Sequence, residues 1–168
     1  MFVKDEYVFH ETGGVCRVAD IQRAPLDNMP ADRHYYILHP VHDANSVLYV
    51  PVDSDRIFLR RLLNREEAGA LLDQIAGVAT IEEPNAKLLR ARYVESMSRY
   101  TPLEWVRVIK TVYRRASELG ARSQRLSETE RSMGENAKRH LHTELALALG
   151  LSESEMERYI TDHIQKMA

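Results

Sequence analysis

The chain has 168 residues, 44% hydrophobic and 29% charged, with a formal net charge of −2 at neutral pH. Such a composition excludes a disordered chain and suits one or two compact domains. Among targeting and redox features, no apolar run approaches the roughly 18 residues of a membrane span, acidic Asp5 and Glu6 stand where a secretory signal would be basic and apolar, and the single Cys16 excludes an internal disulfide framework. A cytoplasmic protein is expected, with Cys16 as a small buried strand residue.

Between Tyr7 and Phe58 apolar residues alternate or form short runs broken by turn-formers, the pattern of strands. Five are predicted, at residues 7–9, 15–21, 35–38, 47–50 and 57–59, with Gly13 and Gly14 as the turn of the first hairpin. A small barrel over residues 1–62 accounts for them.

After Leu63 the pattern becomes helical. Asn64 can cap a helix beginning Arg65-Glu66-Glu67, which buries Leu71, Leu72 and Ile75 and ends at Gly77. A second opens at Glu82-Glu83-Pro84 and runs through Leu88, Leu89, Tyr93 and Met97 to Tyr100. Thr101-Pro102-Leu103-Glu104 carries an N-cap, an N1 proline and an N3 glutamate for a third helix ending near Gly120. Ser127 with Glu130 starts a fourth, to Gly150, and Ser152 with Glu155 a fifth. The fold class is therefore α+β: a small five-stranded barrel (1–62) followed by a bundle of about five helices (63–168).

The modest net charge conceals a partition. Residues 1–86 hold 8 Lys/Arg against 14 Asp/Glu, residues 87–125 hold 10 against 3, and residues 126–168 hold 5 against 8. Lys87, Arg90 and Arg92 fall within two turns of the second helix; Arg107, Lys110 and Arg114 recur at three and four residues along the third, opposite an apolar face of Trp105, Val108, Ile109 and Val112. Arg122 and Arg125 follow in the next loop. A solvated helix face would explain such a run, but the scarcity of acids points to a surface for nucleic-acid phosphate, strongly salt-dependent and weakly sequence-selective.

No catalytic constellation accompanies it. His39, His42 and Asp43 lie on extended chain at a spacing that points the imidazoles apart, and His140 and His142 are two apart in a helix. No nucleophile elbow, phosphate loop or HExxH spacing occurs. A non-enzymatic protein without metal, cofactor or small-molecule substrate is expected.

The stretches GVCRVADI (14–21), YYILHPVHDANSVLYVPVD (35–53), EEPNAKLLRARY (82–93) and LSETERSMGENAKRHLHTELALALG (126–150), in this order over nearly the whole chain, resemble the bacterial CarD family of transcription regulators, its clostridial-type members above all. The resemblance implies a Tudor-like N-terminal barrel that docks on the RNA polymerase β subunit, as does the polymerase-interacting domain of the transcription-repair coupling factor. It also implies a helical domain that contacts promoter DNA at the upstream edge of the melted region and modulates open-complex stability, which associates the protein with the nucleoid. An edge strand of Val47, Leu48, Tyr49 and Val50 is the expected polymerase contact, and Lys87, Arg90, Arg92, Arg107, Lys110 and Arg114 the expected DNA contacts. In the family an exposed tryptophan wedges into the minor groove. Here that position falls on Leu89, and the one tryptophan, Trp105, lies on an apolar helix face suited to a core. The alternative is a module that docks on polymerase and recruits or packs against another protein without touching DNA.

Overall fold

The structure, a computed structural model, describes residues 1–167. It divides into two compact units, Met1–Leu62 and the chain from Leu63 onward.

In the first unit, strands β1 (Tyr7–His10), β2 (Gly14–Arg23), β3 (His34–Pro40), β4 (Leu48–Pro51) and β5 (Leu59–Arg61) form one curled antiparallel sheet in the order β4-β3-β2-β1-β5. Alternation puts Val8, Cys16, Val18, Tyr36, Leu38 and Val50 on one face, where they make the core. Cys16 is fully buried there, and desolvation pushes its thiol up to about 12. The β1–β2 turn rests on Gly14, at φ +67°. It also rests on His10, whose Nδ1 accepts hydrogen bonds from the Gly13 amide at 3.0 Å and the Thr12 amide at 3.2 Å. Two such donors require Nδ1 to be unprotonated. Burial agrees, holding the imidazole below its ordinary 6.5 against the opposing charge of Glu11. The last strand begins at Leu59, two residues beyond the predicted start.

The second unit holds α1 (Arg65–Gln74), a 3-10 turn at Ile75–Gly77, α2 (Ala86–Ser98), α3 (Pro102–Ala121), α4 (Glu128–Leu149) and α5 (Glu153–Met167). Asn64 closes a full capping box with Glu67. Helix α2 starts at Ala86 rather than at the glutamates, because Asn85 supplies the N-cap by accepting from the Leu88 amide. Thr101 makes no side-chain cap, and the glutamate meant to complete its box, Glu104, is buried and engaged by arginines. Gly150, at φ +69°, closes α4 in the left-handed conformation. The core gathers Leu72, Tyr93, Trp105, Val108, Leu145 and Met156, with Trp105 fully buried and stacked obliquely on His140 at 5.3 Å.

Candidate functional site

Strand β4 is one of the two edges of the sheet. Its register pairs Leu38 with Leu48, Ile37 with Tyr49, Tyr36 with Val50 and Tyr35 with Pro51, and the Val52 amide donates to His34 O at 2.9 Å. In an antiparallel ladder hydrogen-bonded pairs alternate, so Leu48, Val50 and Val52 turn their main chain toward β3 while Tyr49 and Pro51 turn theirs to the free edge. Proline is tolerated there because its missing N–H faces outward. The outward edge of β4 thus offers the N–H and C=O of Tyr49 and the C=O of Pro51. Among the four residues expected at this contact, Val50 is buried in the core, Leu48 packs against it, Tyr49 lies on the opposite face of the strand, and Val47 is exposed just before the strand begins.

The other edge is different. Strand β5 is three residues long, and its arginines cover it: Arg60 donates to Arg61 O at 3.0 Å, Arg61 to Leu62 O at 3.1 Å, and the Arg60 guanidinium sits 5.0 Å from the Phe9 ring centroid. Charge and shortness are the ordinary protections of a strand edge. They leave β4 as the better acceptor of an added strand.

In the helical unit the cations of α2 and α3 separate into two groups. On α2, Lys87, Arg90 and Arg92 are exposed; Arg92 reaches Glu83 at 3.6 Å, and Lys87 and Arg90 have no ion pair or hydrogen-bond partner among the described residues. Arg90 borders a recess of about 280 Å³ shared with Arg115 and the first turn of α4 at Ser127 and Thr129. The position expected as the wedge faces inward. Leu89 is only 3% exposed, because it shares the inward face of α2 with Tyr93 and Ser96, at i+4 and i+7. Leu88 projects instead, 53% exposed, one turn before Arg92.

The stripe on α3 is half-buried, and its cations have partners inside the unit. Lys110 Nζ donates to three carbonyls, Ile75 O at 2.8 Å, Ala76 O at 2.9 Å and Val78 O at 2.6 Å, where α1 and the 3-10 turn end without further helix to satisfy them. Arg114 binds Thr80, Glu82 and, at 3.0 Å, Ile81 O. Thr111 completes the strap by accepting from the Ile81 amide at 2.9 Å. Arg107 pairs at 3.0 Å with the buried Glu104, which Arg99 also reaches at 3.3 Å. Arg115 and the Tyr93 hydroxyl converge on Glu130, the latter at 2.9 Å; burial and then this carboxylate push the Tyr93 phenol well above its usual range.

A family model for the CarD-like/TRCF RID domain matches residues 2–63, and a second, for the CarD C-terminal domain, matches residues 75–161. The chain belongs to the CarD-like family. A search of curated proteins finds no match. CarD-like proteins are a non-enzymatic, RNA-polymerase-interacting family, so this chain is a transcription-associated protein whose partner is RNA polymerase. Among the described residues no helix is long and apolar enough to cross a membrane, and no group of three His, Cys, Asp or Glu side chains gathers as metal ligands would.

The histidine-rich loop of this CarD-like chain is a turn. Asp43 accepts from the Asn45 amide at 3.2 Å and from the Ser46 hydroxyl, and these bonds, the hydroxyl first, hold its carboxyl below the usual range. That turn delivers the chain into β4. The residues missed from sequence are Leu88, as the outward leucine, and Lys110, as an anchor. The first was accessible, because Leu89 and Tyr93 are spaced to share a face; the second was not, because its partners are backbone carbonyls some thirty residues away.

Proposed function

We propose that this protein is a polymerase-bound regulator that meets the RNA polymerase β subunit through the β4 edge and promoter DNA through the outward face of α2. The observation that carries the DNA contact is the pair of cations Lys87 and Arg90, without partners among the described residues, beside the exposed Leu88. Strand addition at Tyr49 would supply main-chain affinity, and tethering would raise the local concentration of DNA enough for weak phosphate contacts to suffice. Leu88, with Arg92 one turn on, then takes the wedge position at the edge of the bubble, and the protein travels with polymerase on the nucleoid. Leucine wedges of this kind unstack a base step so that bent DNA meets more protein.

Open-complex lifetime with the cognate polymerase tests this. Leu88→Ala and Arg90→Glu are expected to change it several-fold while leaving polymerase binding intact, whereas Tyr49→Pro, which removes the one outward N–H of β4, weakens polymerase binding about tenfold. Unaltered lifetimes in both α2 variants would favour the second reading, a module whose helices contact another protein. That reading draws on the internal engagement of Arg99, Arg107, Lys110, Arg114 and Arg115, which gives half of the basic block partners within the helical unit.

A further inference from the structure

A groove of about 360 Å³ runs between α3, α4 and α5, and none of its lining residues belongs to α2. Its walls are Ile109 and Val112 of α3, Leu141 of α4 and Ile160 of α5. Gly134 brings α4 close at the floor, where an added Cβ would stand 2.9 Å from the Val112 side chain. The volume and the apolar walls fall in the range of small-molecule sites, which pair such a body with a few polar groups.

Polar groups of that kind stand at its rim. Lys138 and His142 line the groove from one face of α4, four residues apart. Lys138 meets Glu157 of α5 at 3.0 Å, but Glu157 is largely exposed, so that pair is worth little and exchanges easily. The half-buried His142 has no hydrogen-bond partner among the described residues. Burial, and then Lys138, hold its imidazole below the ordinary value despite Glu157, Glu153 and Glu135.

We propose that this groove binds a small amphipathic monocarboxylic acid, its apolar body against Ile109, Val112, Leu141 and Ile160 and its carboxylate between Lys138 and His142. An anion there takes over Lys138 from an exposed partner and gives His142 the acceptor it lacks. A cation would have to displace Lys138, and an uncharged head leaves that exchange unmade. Glu135 and Glu157, also on the lining, disfavour a second negative charge, and the lining's Arg131 is already paired with Glu128. The site is independent of the polymerase and DNA contacts.

The test is calorimetric titration of the full chain with decanoate at neutral pH, beside decanol and decylamine. Decanoate is expected to bind saturably with a Kd of about 1 mM or tighter, and about tenfold more tightly than either analogue. The Lys138→Gln/His142→Gln double variant loses that preference but keeps its decanol affinity, which also reports that the groove is folded; Ile160→Glu weakens all three ligands. Absence of saturable decanoate binding, equal binding of the three, or a preference surviving in the double variant would overturn the proposal. So would a dimer in light scattering that Ile160→Glu dissociates, which assigns the groove to a second copy of the chain.

Discussion

Helices α2 and α3 carry similar positive charge and use it in opposite ways. On α2, Lys87 and Arg90 stand in solvent without partners among the described residues. On α3, Lys110 and Arg114 reach back to residues 75–82, a stretch with little regular secondary structure whose carbonyls need donors. A long cationic side chain suits that role, because its stem packs while its head collects several oxygens at once. The difference teaches that a run of arginine and lysine marks a nucleic-acid surface only after the backbone's own demand for donors has been met. Acids are scarce within residues 87–125, and the cations of α3 draw oxygens from outside that stretch, from the main chain at residues 75–81 and from Glu82 and Glu130.

The largest break in that comparison comes from stability. Lys110→Met keeps the stem and removes the head, leaving three carbonyls with one fewer donor each, and is expected to lower the unfolding free energy by about 2 kcal/mol. Arg90→Met on α2 should stay within about 0.5 kcal/mol of wild type. Urea denaturation followed by circular dichroism measures both. Equal losses would mean that α3 anchors nothing that α2 does not.

DNA affinity reads the same contrast from the other side. Lys87→Glu and Arg90→Glu are each expected to reduce the slope of log K against log salt for promoter DNA by about 1, the signature of one phosphate contact. Lys110→Met should leave the slope unchanged in protein that remains folded. A slope that responds to Lys110 and not to Arg90 would return the α3 stripe to the DNA surface and remove α2 from it.

The strands, the helix starts and the α+β order were legible because they depend on local signals. Period-two alternation reported the sheet, and cap residues such as Ser127 reported the helices. Boundaries and caps slipped where side chains had competing partners: Asn85 took the start of α2 from Pro84, and Glu104 left Thr101 for Arg99 and Arg107. The β4 edge was legible as a strand stopped by Pro51, but not which amide faces outward, since that follows from the register with β3. The internal partners of the α3 stripe were hidden for the same reason: helical spacing tells which residues share a face, not what lies against it. Leu88 and Leu89 could be told apart only by choosing which leucine shares a face with Tyr93.

A small effect is expected at Arg107, and it separates an ion pair from an anchor. Glu104 is buried and served by two guanidinium groups, Arg107 at 3.0 Å and Arg99 at 3.3 Å. Removing either arginine leaves the carboxylate with the other, so Arg107→Gln is expected to cost only about 0.5 kcal/mol, within the range of a partly exposed pair. The double variant with Arg99→Gln should lose more than the two single losses combined, because it strands a buried charge without a cation. A double-mutant cycle in urea resolves the coupling. If instead Arg107→Gln alone cost as much as Lys110→Met, Arg99 would not be a substitute, and Arg107 would join Lys110 as a second irreplaceable anchor on α3.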